Sequence, residues 1–199
     1  MKKGIIGVIV VVAILAILGM WYVNTNNKLV EMKGQATKQW ANVESSYQRR
    51  SDLIGNLVKT VQGAADFERG TLTDVIEARA KATSTTVDAN NLTPEKMAAF
   101  QDAQNGLTGA LSKLMVVVER YPDLKANQNF LELQSQLEGT ENRINVERNR
   151  FNDLAGDYNI KIDKIPTNII ASIANFDKLS LFASKAGAED APDVNFDFN

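Results

Sequence analysis

Residues 4–23 read GIIGVIVVVAILAILGMWYV, twenty consecutive positions without a charge. As a helix this run rises about 30 Å, the thickness of a bilayer's hydrocarbon core. A core helix of a soluble protein keeps a polar face, and this segment has none. Trp21 and Tyr22 close it, where amphipathic rings mark the lipid–water boundary. The start, Met1-Lys2-Lys3, also suits a signal peptide, but the run is long for an h-region and 19–24 offers no small-residue cleavage site. The expectation is an uncleaved signal anchor that crosses the membrane once. Lys2 and Lys3 precede it and 24–27 is neutral, so the positive-inside rule puts the N-terminus in the cytoplasm and the rest outside.

About 175 residues follow, enough for one domain with a real core. Setting aside Lys2 and Lys3, 20 basic residues face 24 acidic ones, a net of −4. That balance argues against nucleic acid as a partner, since phosphate binding needs a surplus of positive charge. The chain has no cysteine and no histidine. Disulfides, thiol nucleophiles, lipoprotein processing, histidine general bases and histidine metal ligands are thereby excluded. Phosphate-binding and dinucleotide-binding glycine patterns are missing too. No catalytic, cofactor-binding or metal-ligating residue is assigned.

Helical periodicity runs through the remainder. A first segment, about Lys28–Lys81, repeats Trp40, Val43, Tyr47, Arg50, Ile54, Leu57 and Val61 at alternating steps of three and four, a bundle-like seam. Gly63 and Gly70 are candidate bends, and 82–91 is polar enough to be a loop. Thr93-Pro94-Glu95 opens a second helix with a capping side chain, a proline suited to the first turn and an acid at the positive dipole end. Its stripe is Phe100, Ala103, Leu107, Ala110, Leu114, Val117 and Tyr121. A third helix, about Asn127–Lys164, carries Phe130, Leu133, Leu137, Thr140, Ile144, Glu147, Phe151, Leu154 and Tyr158. Residues 168–176 predict a short fourth helix with Ile169, Ile170, Ile173 and Phe176 as its apolar face. The fold class is therefore all-α: a transmembrane helix, then an elongated antiparallel bundle of three long helices and a short C-terminal one. The expected divisions are 1–27 for the anchor, 28–183 for the bundle and 184–199 for an acidic tail without fixed structure. No proline interrupts 1–93, so anchor and bundle form one rod, with a break expected only at Asn24–Asn27.

Three polar patterns stand out against this frame. Arg50, Glu68, Arg79, Glu141 and Glu147 fall on otherwise apolar stripes, where a charge is costly unless paired; cross-helix pairing is the bland reading and a binding or acid–base role the sharper one. Asn145, Asn152 and Asn159 lie seven apart beside the third seam, and Asn142 and Asn149 parallel them. Such a ladder either bonds across the bundle or forms a solvated row. At the C-terminus, Val194, Phe196 and Phe198 alternate with polar residues, a pattern that suits strand addition to a partner's sheet or a free end.

Several stretches together resemble the LemA family of bacterial proteins. They are Trp40, Arg49-Arg50-x-Asp52-Leu53-Ile54-x-Asn56-Leu57-Val58, Glu77-Ala78-Arg79-Ala80 and Glu119-Arg120-Tyr121-Pro122-Asp123-Leu124-Lys125-Ala126-Asn127. Further ones are Phe130-x-x-Leu133-x-x-x-Leu137-x-x-Thr140-Glu141-Asn142-Arg143-Ile144, Arg148-x-x-Phe151-Asn152, Tyr158-Asn159 and Ile165-Pro166. Gly55 stands where the family usually has proline, and Phe151 where it usually has tyrosine. The resemblance implies the same plan, a membrane helix followed by a helical bundle. It also implies partners among membrane proteins, such as peptidases of the HtpX kind or TPM-domain proteins. Family descriptions put the bundle in the cytoplasm, opposite to the lysine count. The resulting expectation is a non-enzymatic scaffold or adaptor of the bacterial envelope. A self-associating organiser and a carboxylate-based or metal-dependent hydrolase using Glu68, Glu119, Glu141 or Glu147 are the alternatives.

Overall fold

The structure, a computed structural model, describes residues 2–63, 68–89 and 91–183. Val194, Phe196 and Phe198 lie outside the described residues, with all of 184–199. Among the described residues six helices follow in order: α1 Lys2–Gln62, α2 Arg69–Ser84, α3 Pro94–Val118, α4 Pro122–Lys125, α5 Gln128–Asp163 and α6 Thr167–Ile173. The fold is all-α.

α1 is a single helix of 61 residues. The expected break at Asn24–Asn27 does not occur. Each of these polar residues costs a helix less than about 0.7 kcal/mol, and interrupting an established helix forfeits several backbone hydrogen bonds. Packing resumes at once, because Leu29 is fully buried. From 4 to 20 every side chain is exposed, and this stretch is long and apolar enough to cross a membrane.

The first soluble segment divides, which corrects the expectation of one long helix over 28–81. Its seam is buried through Val61, then the chain turns at Gly63 and returns as α2. The reversal lets Leu72 and Val75 face the core that α1 has already begun. The result is four bundle helices rather than three. α1 packs on α5 and α2 on α3, with a smaller α1–α2 contact. The runs are up, down, up and down. Thr93 caps α3 through the Lys96 amide, with Pro94 in the first turn. The Asn127 side chain accepts from the amides of Asn129 and Phe130 and starts α5.

The core has two parts. The distal one is mostly aliphatic: Ile54, Leu57, Val61, Leu72, Val75, Leu107, Leu114 and Leu137, with Phe130. The anchor-proximal one is aromatic: Trp40, Tyr47, Phe100, Phe151, Tyr158 and Phe182. Trp40 has ring neighbours at 5.5 Å (Phe100), 5.3 Å (Phe151) and 5.5 Å (Phe182). α2 ends at Ser84, before reaching the level of Trp40. Two irregular segments cover that half instead: the 85–92 connection, which buries Val87 and Leu92, and an extended strap over 176–183, which buries Leu179 and Phe182. α6 leads into the strap. It is shorter than the predicted 168–176, because Asn175 adopts a left-handed φ of 54°. The Phe176 amide then bonds the Ala171 carbonyl and the Asn175 amide the Ser172 carbonyl, a Schellman closure in which asparagine replaces the usual glycine.

Candidate functional site

Arg50 sits where the two cores meet. It is 5% exposed, on the turn of α1 between Tyr47 and Ile54. One terminal nitrogen donates to Thr108 Oγ1 at 3.3 Å and to Glu141 Oε2 at 3.1 Å. The other reaches the Gln104 side-chain oxygen and its carbonyl. Gln104 in turn donates to the Ala82 carbonyl at 3.3 Å, and the guanidinium lies 4.9 Å from the centre of the Tyr47 ring. One arginine thus ties α1 to α3 and α5, and through Gln104 to α2. Its Nε is buried without a protein partner. Glu141 is half-exposed, with 46% of its side chain accessible, so this is an ion pair at a rim.

The rim belongs to a groove. α3 and α5 do not close on one another along their length, and a cleft of about 400 Å³ opens between them. Arg50 and Ile54 form its floor; Leu107, Leu111 and Met115 line the α3 side, and Leu137, Glu138 and Glu141 the α5 side. The surface is chiefly apolar with two acids on one edge.

The other stripe charges are dispersed. Glu147 is 7% exposed and accepts from Gln39 Nε2 at 2.6 Å, with Arg143 at 3.8 Å and Arg150 at 3.9 Å on its own helix. Glu68 pairs with Arg120 at 3.0 Å, both exposed, and Glu119 with Lys125. Arg79 Nε donates to the Ser51 carbonyl at 2.7 Å. A β-carbon on Gly55 would come within 3.2 Å of that guanidinium. Ser51 is the residue whose carbonyl would lose its helical donor if position 55 were proline, so Arg79 takes the acceptor that a proline would orphan. The four carboxylates considered for hydrolysis therefore do not share a pocket. Among the described residues no group of three His, Cys, Asp or Glu is placed to hold a metal ion.

The asparagine ladder divides. Asn142, Asn145 and Asn149 are exposed. Asn152 and Asn159 each clasp the strap with two hydrogen bonds: Asn152 donates to the Phe182 carbonyl at 3.0 Å and accepts its amide at 2.9 Å, and Asn159 does the same for Leu179 at 2.8 and 2.9 Å. The spacing explains the match. Seven residues of helix rise about 10.5 Å, and three residues of extended chain span about 10 Å. Tyr158 donates to the Asp177 carbonyl at 3.0 Å. Burial, with the Asp177 charge adding to it, pushes the Tyr158 hydroxyl up to about 12. Burial raises Tyr47 as well.

Sequence reasoning did not single out Gln39, Gln104 or the strap. Gln104 lies four residues after Phe100, on the buried side of α3, and that position was the available signal. Phe176, Leu179 and Phe182 repeat every three residues, a spacing that fits neither a helix stripe nor a half-buried strand.

An apolar N-terminal helix continuous with a helical bundle, knit by buried polar bridges and free of a catalytic cluster among the described residues, defines a class of membrane-associated bundle proteins. Residues 39–196 match the LemA family, and the chain belongs to that family. It is similar to magnetosome protein MamQ 2 of Paramagnetospirillum magneticum, 31% identical over 93% of this chain and 73% of that protein. MamQ of Magnetospirillum gryphiswaldense is 29% identical over 92% and 72%. Protein LemA of Metamycoplasma hominis is 24% identical over 81% and 70%.

Proposed function

We propose that the protein is a non-enzymatic scaffold or adaptor that crosses the membrane once through residues 4–23 and presents its α3/α5 groove to another membrane or envelope protein. The observation that carries the reading is α1: one unbroken helix runs from the apolar segment into the bundle, so the groove is joined rigidly to the segment proposed to cross the membrane. Two further features support it. The acids an enzyme would need are each paired with a cation, and two relatives are named as magnetosome proteins. The groove's apolar lining and its Glu138–Glu141 edge suit an amphipathic helix with a basic residue on one flank. A membrane peptidase of the kind the family resemblance implies is one such partner. Lys2 and Lys3 favour the extracytoplasmic side for the bundle.

The test is crosslinking in native membranes followed by purification in mild detergent. A specific partner captured from positions 111 and 115, and lost in the Leu111→Asp/Met115→Glu variant, is the expected result. Capture of a second copy of this chain would favour self-association instead. A monomer without crosslinks from either position would overturn the adaptor reading.

A further inference from the structure

The membrane-facing end of the bundle carries apolar side chains that the fold does not use. Ile165 is 83% exposed, Ile169 56% and Ile173 64%. They cannot be dismissed as unpacked ends of a loose helix. α6 is docked through its other side, where Thr167, Ile170 and Ala171 are buried, and it packs against both α1 and α5. Ile169 and Ile173 are four apart, so they share a face, about 130° round the helix from the buried one. Three isoleucines in the exposed set are not what solvent selects, since scattered surface aliphatics are ordinary and a grouped set marks an interface.

The register of α1 against α5 fixes the height of this group. Gln39 meets Glu147 and Arg50 meets Glu141, in antiparallel order. Carried down to Asp163, the last residue of α5, that register falls opposite Val23 by the first pair and Lys28 by the second. The next residues are the turn holding Ile165, then α6. Thr25 and Asn26 of α1 are already partly covered, so packed structure reaches down to them. If the hydrocarbon core ends near Val23, the headgroup layer extends about 5–7 Å further, which is about three to five residues of α1 at a rise of about 1.5 Å each. The isoleucines therefore stand at the level of the headgroups. Lys161 and Lys164 flank them, side chains suited to that boundary.

We infer that Ile165, Ile169 and Ile173 form a second membrane contact, in which α6 lies in the lipid interface of the leaflet from which α1 emerges. The occupant of this face is lipid, and a partner helix or second copy is excluded by the outcomes below. The inference rests on the reading that 4–23 cross the bilayer, and it concerns a different surface from the α3/α5 groove. α6 braces the bundle against the membrane at a point displaced sideways from α1, so the anchor has two supports instead of one.

The chain contains no cysteine, so single cysteines can be introduced and spin-labelled without background. Full-length protein is reconstituted in phosphatidylcholine–phosphatidylglycerol vesicles with labels at Ile14→Cys, Ile169→Cys, Ile173→Cys and, as an aqueous reference, Val116→Cys. Collision with oxygen and with a water-soluble nickel chelate reports depth. The expected result is strong protection from nickel at 14, partial protection at 169 and 173 of at least about threefold relative to 116, and no change on dilution to one protein per vesicle. Lipid exposure at 14 with water exposure at 169 and 173 would overturn the second contact and leave the anchor intact; water exposure at 14 would overturn the anchor itself. Protection that disappears on dilution would mean a second copy covers the face, and would also overturn the inference. The unmodified chain gives an independent readout that no misfolded variant can confound. Photoactivatable lipids carrying the reactive group near the headgroup should leave adducts on 165–173 as well as on 4–23, and adducts confined to 4–23 would overturn the inference.

Discussion

The distal and anchor-proximal halves of the bundle solve the same packing problem differently. Distally, α1, α2, α3 and α5 bury aliphatic stripes against one another, and regular helix seams do all the covering. Proximally, α1 and α5 continue, but α2 has ended and α3 has barely begun. There the 85–92 connection and the 176–183 strap take the place of helices, and large rings fill the space they leave. Helix ladders satisfy their own backbone groups; an extended strap does not, so Asn152, Asn159 and Tyr158 supply partners from α5. A core closed by irregular chain needs side-chain-to-backbone bonds where a core closed by helices needs only shape.

The comparison can be broken most severely at Trp40. Replacing this fully buried residue by alanine is expected to cost about 3–5 kcal/mol, since Phe100, Phe151 and Phe182 all lose their common neighbour. Urea unfolding followed by amide exchange should show protection lost first around Leu179 and Phe182 and retained around Leu57 and Leu114. Equal loss in both halves would mean the two cores unfold as one.

Arg50 lies on their border. Complete burial of its acidic partner would make Arg50→Ala cost about 3–5 kcal/mol. Because Glu141 is half-exposed and can regain water, about 2–3 kcal/mol is expected instead, mainly from the hydrogen bonds lost at Gln104 and Thr108. Thermal unfolding of Arg50→Ala beside Glu141→Ala measures it; the glutamate variant should be the milder of the two.

Alkali should act on the proximal half through Tyr158. The Tyr158 hydroxyl is raised to about 12 from an ordinary value near 10. Its protonated form is therefore favoured in the folded state, the stabilisation is complete below about pH 10, and it is lost as pH rises towards 12. The Tyr158→Phe variant should lose less stability across the same interval, and parallel curves for the two proteins would show that the hydroxyl does not titrate this way.

The smallest expected effect is also the most local. Asn152→Ala or Asn159→Ala removes two bonds to the strap and should cost about 1–2 kcal/mol. The amides of Phe182 and Leu179 respectively should exchange faster, while the distal core keeps its protection. A uniform loss of protection would make the strap an integral part of the bundle rather than its cover.

Much of this was legible in the sequence. Alternating steps of three and four located the buried faces of α1, α3 and α5, including the polar members Arg50, Thr140 and Glu147, because a helix seam constrains every third or fourth residue regardless of its chemistry. The division of the first segment was only hinted at by Gly63, since nothing in a periodic pattern tells a chain to reverse. The strap was hidden for a related reason. Its apolar residues fit a surface made by α5, α1 and α3 together, and no local period encodes that surface. The asparagine spacing recorded half of the match, and the other half lay in the backbone of a segment with no signature of its own. The groove was invisible because it arises from two helices failing to meet.

The unbroken α1 has a mechanical consequence. From Val23 to Gln62 the helix rises about 58 Å without a hinge, so with 4–23 in the bilayer, as proposed, any lean of that segment is inherited by everything above it. A tilt of about 20°, ordinary for a helix in lipid, would swing the far end sideways by about 20 Å. Bilayer thickness, one contributor to that tilt, thus becomes a lever on where the protein can reach.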